Sequence, residues 1–532
     1  MVSGLDLFDN IVLVIYFCAI LVIGLYTVKS KQHTTEDYFL AGRNLGWVAI
    51  GLSIFATNIS TAHFVGLIAA GSERGLCVGQ FEWLAVFILI FLGWFIAPVL
   101  IKTKTLTMPQ FFGERFNNKI RTIIAVISIV FYFITKISVT ILAGGFILSE
   151  VLELNVLNAT ILIILITGVY TVIGGMRSVV NTQIVQSVLL LLAAFLLTFF
   201  GISEIGGIEQ FFAKIPGSYL DITKPLSDPQ YPWLGIILGA PIIGIWYWCT
   251  DQYIMQRILS AKNIKQARKG TLLTAFLKSL PIFFIIIPGL IASILYPESN
   301  GNFALSNLIN GSFIPSGIKG LILVGIISAL MSSLASSFNS AAALFTNDIY
   351  KLIKQKASEH ELVLVGRLST TIIILITISI IPIVKVMDIQ IYFSLQEIQA
   401  YLSPPITSIF LFGIFWKGAN SKGVMWTLFI GGLIGLIKLI APYIIPADSF
   451  ISPIFIEFNN INYLYFSFVL FVISSVILVT VSKLTNNIKV SNLIKDYTFS
   501  LQSVGLEYSH YKTPIIGSLT FVLILILLEI LI

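Results

Sequence analysis

The sequence predicts an all-α polytopic membrane protein of about fourteen transmembrane helices, and three observations carry that expectation. Apolar residues fill 57% of the 532 positions and charged residues only 11%, a composition far from that of soluble domains. Fourteen apolar runs approach the roughly 20 residues that cross a bilayer as helix. The connections between them carry Lys and Arg on alternate sides, as the positive-inside bias requires.

In order, the runs cover about 7–28, 46–71, 79–101, 122–149, 156–174, 180–202, 234–257, 271–296, 318–346, 364–384, 389–416, 423–441, 461–482 and 514–532. With the N-terminus outside, 24 of the 32 Lys and Arg residues fall at inward connections or span ends, among them Lys29, Arg43, Arg121, Arg257 and Lys417. Six fall outside: Arg74, Lys214, Lys224, Lys319, Lys385 and Lys438. The reverse orientation would violate the bias at almost every loop, so the N-terminus is predicted outside. The +7 net charge follows from this placement and calls for no nucleic-acid partner. The first run follows Asp6 and Asp9 rather than a basic start and lacks a cleavage pattern, which predicts a retained span. Cys18, Cys77 and Cys249 show neither metal spacing nor a disulfide framework.

The second run carries an unusual centre, Ala56-Thr57-Asn58-Ile59-Ser60-Thr61-Ala62-His63. Thr, Asn and Ser side chains bond nearby backbone and compete with the helical ladder. Carbonyls freed by a break are tolerated in a membrane only where they line a cavity or bind something. A complete helix that uses small polar residues as packing contacts is the alternative. Spans seven to eleven form a second set of five, beginning with Gly235–Arg257, whose Gly239–Gly244 portion (GAPIIG) offers Gly and Pro as helix breakers. Five is odd, so this set lies inverted relative to spans two to six. Interrupted helices at matching positions of inverted halves point to a binding site between them.

Span nine places Ser332, Ser333, Ser336, Ser337 and Ser340 at i, i+3 and i+4 spacings, a hydroxyl-bearing face. Hard cations prefer oxygen ligands, whereas small-residue helix packing explains the same face without an ion. Lys136, Lys278, Glu82, Asp251 and Glu397 lie within or at the ends of spans, where charges face a bundle interior or a wet cavity. Each can serve a structural ion pair or a ligand, Lys136 reading more as structural and Asp251 as a helix cap. His63, Glu82, Trp246, Tyr247, Trp248, Asp251, Lys278 and Gln396 supply donors, acceptors and flat aromatic faces of the kind a polyol needs. For Trp246–Trp248 an interfacial aromatic belt is the competing reading. Motifs of hydrolases, zinc proteases and P-loop enzymes are absent, which predicts that the chain is not an enzyme and draws on a gradient for any uphill movement.

The stretches EDYFLAGRNLGW (36–47), ATNISTAHFVGL (56–67), QFEW (80–83), MPQFFGERF (108–116), YTVIGG (170–175), WYWCTDQYIMQR (246–257), FLKSLP (276–281), LMSSLASSFNSAAALFTNDIY (330–350) and FWKGANSKG (415–423) resemble the solute:sodium symporter family, in its sodium/glucose cotransporter branch. The resemblance implies a five-plus-five inverted-repeat (LeuT-like) core. Its layout would be an extra helix and loop over 1–35, a first repeat over 36–203 and an outer loop over 204–233. A second repeat over 234–420 and three further helices over 421–532 would follow. It implies a sodium-coupled importer of a hexose, glucose or galactose, working by alternating access in the plasma membrane; the compact stretch 483–513 before the last span points to the inner membrane of a bacterium. Sodium is the coupling ion and no other cofactor is expected. The implied sodium ligands are carbonyls of Ala56, Ile59 and Ala329 and hydroxyls of Ser332 and Ser333. The implied sugar contacts are Asn58, His63, Glu82, Tyr247, Trp248, Lys278 and Gln396. Tyr247 would also close the inner side, with Leu67, Phe81 and Tyr392 as an outer lid. Two departures bear on stoichiometry. Gln183 stands where members often have Asp, and Ala335 where members with a second sodium site tend to have Thr, so one sodium per sugar is expected. Rival readings are another solute (inositol, sialic acid, an amino acid or iodide), proton coupling through Glu82 or Asp251, and a sensor that binds sugar without moving it.

Overall fold

A computed structural model describes residues 5–26, 32–152, 156–384, 391–444, 452–485 and 497–499. The predicted span 514–532, most of the stretch 483–513 and Lys29, Lys31, Lys385, Lys489, Lys495 and Lys512 lie outside these residues, as does the side chain of Tyr392. The architecture is helical throughout, with no strand among the described residues. Nine helices there are long and apolar enough to cross a membrane, or up to eleven if each of two bent pairs counts as one span.

The first helix, α1 (Leu7–Tyr26), packs against the helices Val156–Ile205 and Ile318–Leu344. The predicted second run is split into α2 (Trp47–Asn58) and α3 (Thr61–Arg74), with Ile59 and Ser60 extended between them. A complete helix through Asn58 is thereby excluded. Next come α4 (Gln80–Phe91), α5 (Asn118–Phe131) and α6 (Ser138–Leu152). The fifty-residue α7 (Val156–Ile205) covers the fifth and sixth predicted runs and kinks between them at Gly175. There φ is +55°, a left-handed conformation, and a Cβ would stand 2.5 Å from the Tyr38 carbonyl oxygen. Only glycine meets both conditions without strain.

The second set opens on α8 (Ala240–Cys249) and α9 (Gln252–Leu259). Here the sequence reading holds in part: a short helix Trp233–Leu238 ends at Gly239 and α8 begins there, but the 51° bend falls at Thr250–Asp251. Pro241 sits in the first turn of α8, where a missing N–H breaks no helical bond, so the helix runs straight through Gly244. Asp251 makes the break by capping α9, its carboxylate accepting from the Tyr253 N–H at 3.0 Å. Then follow α10 (Ile264–Lys278), α11 (Ile287–Leu295), the serine-bearing α12 (Ile318–Leu344) and α13 (Glu359–Val384). A second bent pair joins α14 (Ile391–Leu402) to α15 (Pro404–Phe415) at Ser403, ahead of Pro404-Pro405. The last described spans are α16 (Ser421–Ile444) and α17 (Tyr463–Leu484).

The two halves share defects as well as breaks. A wide, π-type turn at Leu92–Ile96 precedes Pro98, and another at Ile282–Ile286 precedes Pro288. Proline lacks the N–H that the normal ladder needs and crowds the carbonyl four residues back, which favours such a widening. The next span of each half carries its own wide turn, Tyr132–Ile137 in the first and Phe345–Tyr350 in the second.

The helix α12 is buried along most of its length, and α1 holds its start. Asp9 Oδ1 accepts from the N–H groups of Gly317 at 2.8 Å and Gly320 at 2.6 Å. Helix-start donors have no partner in their own ladder, so a residue three hundred positions away supplies the cap. Asp9→Ala is expected to destabilise the protein by about 1–3 kcal/mol, as buried donors left unpaired do. Asp9→Asn keeps an acceptor oxygen and should lose less. Thermal inactivation of the purified variants measures both, and equal stability of Asp9→Ala and wild type would contradict the cap.

Candidate functional site

The break between α2 and α3 frees carbonyls at the end of α2, and hydroxyls of α12 meet them. Ser332 Oγ lies 2.7 Å from the Ala56 oxygen, to which it donates, and 3.0 Å from the Ala329 oxygen. Ser333 Oγ lies 3.5 Å from the Thr57 oxygen, which also accepts from Tyr253 Oη at 2.7 Å. Both serines are buried and point at the break rather than at lipid. Ser332 Oγ thus touches both the Ala56 and the Ala329 oxygens, with Ser333 one position along and Ile59 at the break itself. Two hydroxyls and several carbonyls form an all-oxygen donor set with no carboxylate, a fit to a hard monovalent cation.

Beside this cluster, Gln183 on α7 is fully buried with both ends of its amide engaged. Its Nε2 lies 3.1 Å from Thr57 Oγ1, 3.0 Å from the Ser332 oxygen and 2.7 Å from Ser336 Oγ. Its Oε1 accepts from Ser53 Oγ at 2.6 Å and from Arg257 at 3.3 Å. The Arg257 guanidinium also donates to Ser336 Oγ at 2.6 Å. A neutral amide and the Arg257 guanidinium are therefore held together at Ser336.

On the other side of the break lies a cavity of about 100 Å³, and all seven residues that the resemblance implies for sugar line it. Asn58, the last residue of α2, is its hub: Nδ2 donates to Tyr247 Oη at 3.0 Å, and Oδ1 accepts from Lys278 Nζ at 2.7 Å. Lys278 is also paired with Glu82, the two side chains being 1% and 4% exposed. Its ammonium stands 5.8 Å from the Trp248 ring. His63 Nδ1 lies 3.1 Å from Ser60 Oγ, while Gln396 faces in half-buried from α14. Trp246 packs on Phe131 behind the wall, so the Trp246–Trp248 stretch belongs to the interior and not to an interfacial belt.

The lid residues divide. Phe81 lines the cavity and sets its ring 6.2 Å from Tyr231 in the long connection 206–232. Leu67 is fully buried and stands behind the wall, outside the lining. The side chain of Tyr392 lies outside the described residues. This connection is fastened to the α3–α4 turn by Arg74–Asp228 at 2.5 Å and by Gln80 donating to the Ile222 oxygen. Burial raises the Asp228 pKa, but N–H bonds from Tyr231 and Gln230 together with Arg74 outweigh it, and the net shift is below the ordinary carboxylate value. This fastening is therefore fully present above the unfolded carboxylate pKa and is lost as pH falls through the depressed one.

Sequence reasoning missed part of the wall. Lys136 lines the cavity and reaches Asp251 Oδ2 at 3.4 Å, and Tyr253, Thr135, Thr140 and Gln399 line it too. The signal for Lys136 was a charge within a span, whose structural reading is half the story. Asp251 is a cap and an ion-pair partner, and lies outside the lining.

A cavity where two broken helices meet, with an oxygen-lined cluster at the same break, defines a secondary transporter. The chain belongs to the sodium:solute symporter family, whose model matches residues 38–431. It is 37% identical over 525 residues to sodium/glucose cotransporter 1 of Ovis aries, covering 90% of this chain and 79% of the relative. It is 36% identical over 520 residues to sodium/myo-inositol cotransporter 2 of Homo sapiens, covering 90% and 76%. A solved structure of a substrate-bound, outward-open Na+-coupled sialic acid symporter matches with a TM-score of 0.77 at 24% identity, over 90% of this chain and 98% of that one. The fold is thus the all-α, inverted-repeat (LeuT-like) fold of sodium symporters, and the chain is a multi-pass membrane transporter, not an enzyme.

Proposed function

We propose that the chain imports a hexose, glucose or galactose, with one sodium ion per sugar, through alternating access of repeats 36–203 and 234–420 and with its N-terminus outside. One observation carries the reading: Ala56 to Asn58 serves both sites. The carbonyls face the serines of α12 and the Asn58 amide faces the cavity. Sodium held by Ala56, Ile59, Ala329, Ser332 and Ser333 orders the break, and the ordered break presents Asn58 to sugar. Each ligand then favours the same state, and by linkage each raises the affinity of the other.

The charges support a neutral solute. Glu82 is paired with Lys278 and Asp251 with Lys136, so the lysines among the described wall residues are both matched by carboxylates, which disfavours iodide or the carboxylate of a sialic acid. Hydroxyls of a polyol fit Asn58, His63, Glu82, Lys278 and Gln396, and its C–H face fits Trp248 and Tyr247. The cavity is small beside the ~300–1,000 Å³ of typical ligand pockets, so loading requires Phe81 to swing outward and release requires Tyr247 to leave Asn58. The relatives named for myo-inositol support a second neutral polyol as the rival substrate.

Uptake of labelled glucose and galactose into proteoliposomes, with and without a sodium gradient and against unlabelled myo-inositol, tests the substrate. Sodium-dependent hexose uptake that inositol does not suppress is expected, and uptake that follows pH while ignoring sodium would defeat the reading. Parallel sodium-22 and sugar fluxes are expected at a ratio of one, since Gln183 and Ala335 offer neither a carboxylate nor a hydroxyl to a second ion, and Gln183 is tied up with Thr57, Ser336 and Arg257. A ratio of two would refute that expectation. With a membrane potential, one inward charge adds about 2.3 kcal/mol per 100 mV to the driving force.

A further inference from the structure

Lys136 is a buried cation that neither the sodium cluster nor the proposed sugar contacts use. It projects from the wide turn Tyr132–Ile137. Its Nζ stands 4.0 Å from the centre of the Tyr247 ring, 4.8 Å from that of Tyr253 and 3.4 Å from Asp251 Oδ2. These three partners flank the second helix break: Tyr247 lies on α8, Tyr253 on α9, and Asp251 at the corner. Tyr132, four residues earlier on the same element, donates to Asp251 Oδ1 at 2.5 Å and accepts from the Tyr253 N–H at 2.9 Å. Both tyrosines also reach the first break, Tyr247 through Asn58 and Tyr253 through the Thr57 oxygen. One ammonium therefore touches both halves of one broken helix, and each half touches the other broken helix.

We infer that Lys136 is a positioning residue that clamps the second break and holds Tyr247 across the inner floor of the cavity; this rests on the symporter reading above. Its ammonium is taken up by two ring faces and a carboxylate, so it acts on the solute through Tyr247. Opening the floor requires Tyr247 to leave Asn58 and slide off the cation, while Asp251 keeps its cap on α9. A cation held over an aromatic face away from water is attracted by the ring's quadrupole, and the Asp251 partner fixes where that cation stands.

The test compares Lys136→Met, Lys136→Arg and the doubly neutral Lys136→Met/Asp251→Asn, which leaves no lone buried charge if the single variant fails to fold. In transport, Lys136→Met is expected to reduce turnover by about tenfold while the sugar KM moves by less than about threefold. In hydrogen exchange of the purified protein without solute, the Gln252–Leu259 amides are expected to exchange about tenfold faster in both neutral variants, with Lys136→Arg close to wild type. A raised KM with turnover retained would make Lys136 a sugar contact and overturn the clamp, as would unchanged exchange in the neutral variants. Exchange needs no solute, so a wild type that moves no hexose defeats the transport reading without touching this arm.

Discussion

Glu82→Gln is expected to abolish sodium-dependent uptake and to destabilise the protein by about 3–5 kcal/mol, because it leaves a buried ammonium without its counter-charge. Lys278 is 1% exposed, and its remaining partner among the described contacts is the neutral Asn58 Oδ1. Lys278→Met is expected to be nearly as harmful, stranding the Glu82 carboxylate in turn. The combination Glu82→Gln/Lys278→Met separates fold from function. Replacing both members of a buried pair is often neutral for stability, so the double variant should recover thermal stability. It should not recover uptake, since both polar groups have left the cavity wall. Thermal unfolding and uptake on all three variants decide the matter, and a double variant that transports like wild type would remove the pair from the solute site.

Ser332→Ala is expected to raise the sodium concentration for half-maximal uptake by about tenfold or more. A hydrogen bond or ligand contact to a charged group is worth about 1.5–3 kcal/mol, and 1.4 kcal/mol is tenfold in affinity. Ser333→Ala is expected to have the smaller effect, for Ser332 is the hydroxyl in contact with both Ala56 and Ala329, while Ser333 stands 3.5 Å from the Thr57 oxygen. The sugar KM at saturating sodium should change little in either variant, because the cavity wall is intact. Sodium activation curves at fixed sugar measure this. Superimposable curves for wild type and both variants would take the hydroxyls out of the ion site.

Features set by a residue and its near neighbours in the chain were the legible ones. The break at Ile59–Ser60 was legible from its local run of Thr, Asn and Ser, although of these only Ser60 finds its partner nearby, in His63, while Thr57 and Asn58 bond to other spans. The spacing of Ser332 and Ser333 on one face was readable for the same reason. The sharp second bend was placed several residues early, since Gly239, Pro241 and Gly244 look like breakers, yet only Gly239 ends a helix and Pro241 proves to be in a first turn. Its true maker, Asp251, is held by Tyr132 and Lys136 from another span, and nothing local announces that. Leu67 illustrates the apolar case: a leucine carries no mark of whether it faces a cavity or the packing behind it. The side of Lys136 that matters for the floor depends on two rings more than a hundred positions further along.

The paired wide turns ahead of Pro98 and Pro288 have a mechanical meaning. A helix already loosened at a fixed point can flex there while its neighbouring turns stay bonded, so each half carries a ready-made hinge at an equivalent place. Bending at two such matched points would let both halves change shape without melting any element.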